Sequence, residues 1–187
     1  MEVYILRHTR AAVKEGTCYG QSDVPLASTF EDEAKKLKKK LQTNFDAVYT
    51  SPSQRCAKLA AILAETDYIV DHRLMEMDFG NWENKQWEDL SGQILDTWMK
   101  DFVNIKAENG ESLVDLNERV VSFLDDLLKS RYEKVLVISH SGVIRCIMAY
   151  ILEIPLKNIF KLPIGFGNVY WAQISQNKDF NMIKDII

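Results

Sequence analysis

The sequence predicts a three-layer α/β/α sandwich with a central, mostly parallel β-sheet. Short apolar segments that suit strands alternate along the chain with longer segments that have the spacing of amphipathic helices, the pattern of an α/β domain. The segment Val135–Ile138 is apolar at every position, as expected for a strand that is buried on both faces of a sheet. Right-handed crossovers between parallel strands would place the helices on both faces.

Composition and charge predict one domain over residues 1–187 and restrict its partners. Hydrophobic residues make up 47% and charged residues 27% of the chain, close to the average for globular proteins. The net charge of -4 lacks the basic field of a nucleic-acid-binding protein, although it is compatible with a local basic pocket for a small anion. The three cysteines are widely spaced, which suits neither a disulfide framework nor a zinc site. The sequence has no run of about 18 apolar residues, so it predicts no membrane span. We therefore expect a reduced, cytoplasmic protein.

The first half of the chain predicts three strands and two helices. The strands are Val3–Leu6, Ala47–Tyr49 and Tyr68–Val70. Ser28 and Glu31 have the spacing of a capping box, and an amphipathic helix with apolar positions over 30–41 follows them. The lysines of this helix are interpreted as its solvated face. The turn at 51–53 opens a second helix that runs to about Glu65, because proline is favoured in a first helical turn.

The second half continues the alternation after a segment, Leu74–Asp89, that gives no clear element. The predicted helices are Leu90–Phe102, a helix capped by Ser112 with apolar positions from Leu113 to Leu128, and Val143–Leu152. The predicted strands are Val135–Ile138, Val169–Ile174 and Met182–Ile186.

Two of the three histidines occupy matching positions after predicted strands. His8 follows the strand Val3–Leu6, and His140 follows the strand Val135–Ile138 at the start of a helix. In open α/β sheets, ligands bind beyond the carboxyl ends of the strands, so two central parallel strands would bring both histidines into one crevice. A lone histidine after a strand is usually a capping or surface residue, and we interpret the third histidine, His72, as structural or exposed.

Arginines strengthen the candidate site. Arg7 precedes His8 and Arg55 follows the turn at 51–53, and the planar donor fork of arginine suits phosphate oxygens. Each arginine is alternatively a surface ion-pair partner, which is the favoured interpretation of Arg10. The sequence has no glycine-rich nucleotide-binding loop, so side chains and helix N-terminal amides would hold the anion.

The acid Glu76 lies among apolar and aromatic residues in the segment Leu74–Asp89. Desolvation there would disfavour its charged form, which is what a general acid needs. Asp78 and Glu83 are competing candidates for the same role.

Five motifs together resemble the histidine phosphatase superfamily, which includes the phosphoglycerate mutases. They are Arg7-His8 after the first strand, Ser51-Pro52 with Arg55, Leu74-x-Glu76 running into Phe79-Gly80-x-Trp82-Glu83, Gly110-Glu111-Ser112, and Val137-Ile138-Ser139-His140-x-Gly142. The resemblance implies a phosphoglycerate mutase-like fold and no metal or cofactor. It assigns His8 as a nucleophile that forms a phosphohistidine, Arg7, Arg55 and His140 as phosphoryl ligands, and Glu76 as the proton donor.

Within this family, the loop 7–10 and the segment 18–26 are most similar to α-ribazole phosphatases of cobalamin biosynthesis. The resemblance implies a small phosphate ester as the partner, neither nucleic acid nor membrane, and a monomer or homodimer. The implied substrate contacts are Thr9, Tyr19, Gly20 and Trp82. Thr9 replaces a common glycine, in agreement with this subgroup, whereas Asn84 and Ser141 depart from family glycines and leave the pocket shape open.

Three alternatives to this function remain at this level. A broad-specificity sugar-phosphate or nucleotide phosphatase would share the same core residues. A phosphoglycerate mutase is disfavoured because mutases of the family are usually longer. A catalytically silent binding domain would be expected to have lost one of His8, Arg55, Glu76 or His140.

Overall fold

The computed structural model describes residues 1–41, 44–64 and 67–187 and has a central six-stranded sheet. The strands are β1 (Glu2–Arg7), β2 (Ala47–Thr50), β3 (Ile69–Val70), β4 (Lys134–Ser139), β5 (Val169–Gln173) and β6 (Met182–Ile186). Their order across the sheet is β3-β2-β4-β1-β5-β6. The first four strands in this order pair in parallel, whereas β5 pairs antiparallel with β1 and β6 antiparallel with β5. The predicted α/β class with a mostly parallel sheet is therefore confirmed.

Within the described residues the chain forms five α-helices. They are α1 (Phe30–Lys40), α2 (Gln54–Leu63), α3 (Gln93–Lys100), α4 (Leu113–Leu127) and α5 (Ser141–Leu152). Helices α1 and α2 pack in one core, whereas α4 and α5 pack in the other. Short 3-10 turns occupy His72–Leu74, Gly80–Trp82, Trp87–Asp89, Leu156–Lys161 and Lys178–Phe180. Across the described ranges, the helices are too short or too polar to cross a membrane.

The central strand β1 shows how the sequence separates the two faces. Leu6 belongs to the core that contains the apolar residues of α1 and α2, whereas Val3 and Ile5 belong to the core that contains those of α4 and α5. Strand β4 alternates in the same way, with Val137 on one face and Ile138 on the other. Burial on both faces explains why these two strands have an uninterrupted apolar sequence.

Several helix boundaries differ from the predictions, and α5 begins at Ser141, two residues before its predicted start. The capping box of Ser28 and Glu31 is wrong, because Thr29 is the N-cap of α1 and its hydroxyl donates to a Glu33 carboxylate oxygen at 2.6 Å. Helix α2 ends at Leu63, and its predicted end at Glu65 lies outside the described residues. Helix α3 is shorter than the predicted Leu90–Phe102 at both ends, and it starts late because Gly92 has a φ of 110°, outside the helical region.

The strand register brings the two histidine loops together. Strands β1 and β4 are neighbours, with Arg7 paired with Ser139, and the amide of His8 donates to the Ser139 carbonyl at 3.0 Å. On the other side of β4, the amide of Ser51 donates to the Ile138 carbonyl at 3.1 Å. The loops that follow the three neighbouring parallel strands β2, β4 and β1 thus lie at one edge of the sheet, where α/β proteins bind ligands.

Candidate active site

A cavity of about 180 Å³ lies at this edge of the sheet. Six of the nine predicted site residues line it: Arg7, His8, Tyr19, Gly20, Arg55 and Glu76. The ring of His140 lies behind His8, with 5.1 Å between the ring centroids and 64° between the planes. The two imidazoles are therefore neighbours as expected, but only His8 lines the cavity, because His140 is fully buried behind it.

His8 is held as a neutral imidazole with one free nitrogen. Its Nδ1–H donates to the Thr9 carbonyl at 2.6 Å, which leaves the lone pair on Nε2. Burial, followed by the positive charges of Arg55 and Arg7, lowers the pKa of His8 to about 3, although the Thr9 carbonyl acts in the opposite direction. Thr9 itself is buried and lies outside the cavity lining, so it contributes a backbone carbonyl here. These are the properties required of a nucleophilic imidazole.

His140 is fixed by Ser51 and Ser53, two serines to which the sequence assigned no contact with this ring. Its Nε2 hydrogen-bonds with the hydroxyls of Ser51 at 2.8 Å and Ser53 at 2.9 Å. Burial, followed by the fields of His8 and Arg55, holds the pKa of His140 well below its ordinary value. A bound phosphoryl dianion would act in the opposite direction and favour the imidazolium.

Two guanidinium groups give the cavity its positive charge. Arg55 is 1% exposed and donates to the carbonyls of Gly20 at 2.7 Å and Ser22 at 2.9 Å. Arg7 donates to the Ile164 carbonyl and lies 3.7 Å above the Phe166 ring. Within the described ranges neither guanidinium has a carboxylate ion-pair partner, and the Nε of each is buried without a hydrogen-bond partner. Such a pair of cations suits a dianionic phosphoryl group.

Glu83 organises the loop that positions Arg55. Its carboxylate accepts hydrogen bonds from the amides of Gln21 at 2.7 Å, Ser22 at 2.6 Å and Phe79 at 3.2 Å, and from the Ser22 hydroxyl. It therefore acts as an acceptor that fixes the loop, and it does not line the cavity. Gly20 is required there because a Cβ would lie 2.3 Å from the Met77 carbonyl oxygen.

Glu76 is the one acid among the three competing candidates that lines the cavity. The amide of Gly142 donates to both carboxylate oxygens of Glu76 at 3.1 Å, and the amide of Met77 donates to Oε1 at 3.0 Å. The surroundings of this carboxylate are thus more polar than its apolar sequence neighbours suggested. A Cβ on Gly142 would lie 2.3 Å from Glu76 Oε1, so a larger residue would displace this carboxylate. Asp78 instead accepts the Gly80 amide at 2.8 Å.

The aromatic wall of the cavity differs from the sequence expectation. Trp82 lies outside the cavity lining and is buried in the core, where its ring centroid lies 5.4 Å from that of Trp98. Phe79, Trp87 and Phe160 form the wall instead. Phe160 carried no signal in the sequence, because it reaches the site from the turn after α5.

Arg145 is a second residue of the cavity that sequence reasoning missed. It lies one helical turn after Ser141 on α5, so the two side chains share a face, and its Nη1 donates to the Ser141 hydroxyl at 2.7 Å. The i, i+4 spacing from the residue after His140 was the available signal. The guanidinium also lies 5.3 Å from the centroid of the Phe160 ring.

Comparison with known proteins identifies the family. Residues 3–184 match the family model described as histidine phosphatase superfamily (branch 1). The chain belongs to the histidine phosphatase superfamily. This histidine phosphatase is therefore a hydrolase of phosphate esters, and the resemblance inferred from its motifs is confirmed.

The relatives of this histidine phosphatase are named for different activities. It is 30% identical over 168 residues to a putative phosphoserine phosphatase 2 of Hydrogenobacter thermophilus, covering 86% of this chain and 83% of that one. It is 26% identical to the adenosylcobalamin/α-ribazole phosphatase of Escherichia coli, covering 98% and 94% of the two chains. The crystal structure of the α-ribazole phosphatase from Shigella flexneri superimposes with a TM-score of 0.89 at 25% identity, covering 98% and 95%.

The buried neutral histidines of this histidine phosphatase predict a loss of stability in acid. In the unfolded chain a histidine titrates near 6.5, whereas folding lowers the pKa of His8 to about 3. At a pH between these two pKa values, the imidazole of His8 is protonated in the unfolded chain and neutral in the folded protein. The stabilisation present above about pH 6.5 is therefore lost as the pH falls, by up to about 1.4 kcal/mol per pH unit for each such histidine. His140 contributes in the same direction.

Urea unfolding between pH 7.5 and 5 in phosphate-free buffer measures this slope. We expect His8→Gln to reduce it, whereas the same change at the exposed His72 leaves it as in wild type. Equal slopes in wild type and His8→Gln would contradict a neutral, buried His8.

Proposed function

We propose that this protein is a metal-independent phosphomonoesterase that hydrolyses α-ribazole 5'-phosphate to α-ribazole and phosphate through a phosphohistidine on His8. The observation that carries the chemistry is the Nδ1–Thr9 hydrogen bond, which leaves Nε2 of a neutral His8 free beside two unpaired guanidinium groups. The relatives that cover nearly the whole chain support the substrate.

In the first step, Nε2 of His8 attacks phosphorus as the bond from phosphorus to the ester oxygen breaks. Arg7, Arg55 and His140 stabilise the charge on the three non-bridging oxygens. Glu76, in its acid form, gives its proton to the departing alcohol oxygen. The products of this step are the free alcohol, phosphohistidine and the Glu76 carboxylate.

In the second step, the Glu76 carboxylate takes a proton from a water molecule whose oxygen attacks phosphorus. The bond from nitrogen to phosphorus breaks, which regenerates neutral His8, protonated Glu76 and inorganic phosphate. Both steps use only side chains of this chain, so we expect chelators to leave turnover unchanged.

The shape of the leaving-group side of the cavity supports an aromatic substrate. Phe79, Trp87 and Phe160 line the same cavity as Arg7, His8 and Arg55. The benzimidazole of α-ribazole is a flat base that such rings bind by stacking. Tyr19 also lines the cavity, and its ring centroid lies 5.3 Å from the guanidinium carbon of Arg55.

A second candidate substrate is phosphoserine or a similar phosphorylated hydroxy acid, and Arg145 favours it. Its guanidinium lines the cavity, has a buried Nε without a hydrogen-bond partner, and forms no ion pair within the ranges that the structure describes. A substrate carboxylate would pair with it. The relative from Hydrogenobacter thermophilus is consistent with this alternative.

The remaining properties of the protein follow from the same proposal. We propose a single cytoplasmic domain over residues 1–187 that acts on a small phosphate ester as a monomer or homodimer, without nucleic-acid or membrane partners. The three cysteines, which are free and buried, support a reducing compartment.

Comparison of kcat/KM over a panel of esters tests the substrate. The panel contains α-ribazole 5'-phosphate, phosphoserine, 3-phosphoglycerate, ribose 5-phosphate and AMP. We expect α-ribazole 5'-phosphate to exceed the others by at least about tenfold, with little loss in Arg145→Met. If phosphoserine leads and Arg145→Met removes that preference, the hydroxy-acid alternative is correct. Similar values for all esters would indicate a broad-specificity phosphatase, and stimulation by a bisphosphorylated primer would indicate a mutase.

A further inference from the structure

The Gly110-Glu111-Ser112 motif has no role in the steps above. Its glutamate forms an ion pair with an arginine outside the cavity. Arg119, on α4, does not line the cavity. Its Nε and Nη2 donate to the two carboxylate oxygens of Glu111 at 2.9 and 2.8 Å. This bidentate pair fixes the plane of the guanidinium.

The remaining donors of Arg119 bind the backbone that carries the proposed general acid. Its Nη1 donates to the carbonyls of Arg73 at 2.7 Å and Met75 at 2.6 Å. Its Nη2 also donates to the carbonyl of Glu76 at 2.8 Å. One guanidinium therefore holds three carbonyls within a four-residue stretch that ends at Glu76.

The loop that contains Glu111 packs closely, backbone against backbone, on the segment that follows Glu76. The Glu111 carboxylate accepts the Asp78 amide at 3.0 Å, and the Glu111 amide donates to the Asp78 carbonyl at 2.8 Å. A Cβ on Gly110 would lie 2.3 Å from the Asp78 carbonyl oxygen, and one on Gly80 would lie 2.2 Å from the Glu108 carbonyl oxygen. Both glycines are thus required for the approach of the two loops.

We propose that Arg119, oriented by Glu111, is a positioning residue that sets the location of the Glu76 carboxyl group relative to the leaving alcohol. The proposal rests on the general-acid role of Glu76 in the proposed function. Glu76 is held at both ends of the residue, its carboxylate by the Gly142 amide and its backbone by Arg119. Loss of the backbone support displaces the carboxyl group without touching His8, Arg7 or Arg55.

Lysine cannot replace this arginine, although it keeps the charge. A single ammonium group lacks the planar fork that reaches a carboxylate and three carbonyls at once. Arg119→Lys therefore leaves the electrostatic field nearly unchanged and removes the geometric constraint.

Leaving-group dependence distinguishes a positioning role from a general structural one. The value of kcat/KM covers the steps up to the release of the alcohol. An alkyl phosphate needs the proton of Glu76 in that step, whereas p-nitrophenyl phosphate releases a stable phenolate. We expect Arg119→Lys to lower kcat/KM for the alkyl ester by about 10- to 100-fold, the scale of a displacement near 1 Å, and to change the aryl ester little.

Arg73→Gln is the matched control, because the Arg73 side chain also joins this segment to α4. Its Nη1 donates to Oδ2 of Asp126 at 2.7 Å and to the Ser122 carbonyl at 3.1 Å. It should affect both esters alike. Glu111→Gln, which weakens the orientation of Arg119, should repeat the selective loss to a smaller extent and serves if Arg119→Lys does not fold. The Glu76→Gln/Arg119→Lys double variant should lose no more than Glu76→Gln alone.

Equal losses on the two esters in Arg119→Lys and Glu111→Gln, or no loss in either, would overturn the positioning role. If Glu76→Gln discriminates between the esters and the Arg119 and Glu111 variants do not, the positioning role alone fails. If Glu76→Gln itself does not discriminate, the general-acid assignment fails and the positioning role fails with it.

Discussion

His8→Ala reduces turnover of every phosphate ester to background, a loss of at least about 10⁴-fold on the scale of nucleophile removal in other covalent enzymes. The reason is that the substitution removes Nε2, the atom whose free lone pair forms the bond to phosphorus. Arg7 and Arg55 remain in place in this variant, so we expect it still to bind inorganic phosphate. Steady-state assays and phosphate titration by calorimetry measure the two properties separately.

His72→Ala is the matched control for this substitution. His72 is exposed in the turn before the Glu76 segment, and its replacement should leave kcat within the error of wild type. Substantial residual turnover in His8→Ala, above that of a boiled sample, would show that another residue is the nucleophile.

Glu76→Gln produces a loss that depends on the leaving group. The glutamine keeps the size of the side chain and removes the proton that an alkoxide needs, so kcat/KM for an alkyl phosphate should fall by about 10²- to 10⁴-fold. With p-nitrophenyl phosphate, the first step should persist as a rapid burst of nitrophenol. The later turnover should be slow, because water then lacks its base.

Stopped-flow absorbance measures the burst of nitrophenol, and phosphate release measures the alkyl ester. Asp78→Asn is the matched control, since that carboxylate accepts the Gly80 amide and does not line the cavity. Equal losses for both esters in Glu76→Gln, without a burst, would remove Glu76 as the general acid.

The strands explain why much of the site was predictable from the sequence. Short apolar runs fix β1 and β4 in the centre of a parallel sheet, and the residues that follow such strands must meet at one edge. His8, Arg7 and His140 are placed by this rule alone. Arg55 is placed by the turn that follows β2, the next strand of the same sheet.

The remaining features depend on contacts between residues that are distant in the sequence. The amide of Gly142 reaches the Glu76 carboxylate across 66 residues, and this contact makes its surroundings polar. The family resemblance implied Trp82 as a substrate contact, but its ring packs against Trp98 in the core. Such contacts leave no periodic pattern, because they depend on how loops pack after the sheet has formed.

Rapid-quench labelling of the enzyme during turnover tests the proposed nucleophile most directly. Wild-type enzyme mixed with a ³²P-labelled ester and quenched within one turnover should carry a protein-bound phosphate that is labile in acid and stable in alkali. The label should map to the peptide that contains His8 and be absent from His8→Ala. A wild-type enzyme that turns over without any labelled protein, or that carries an acid-stable label on another residue, would contradict the phosphohistidine mechanism.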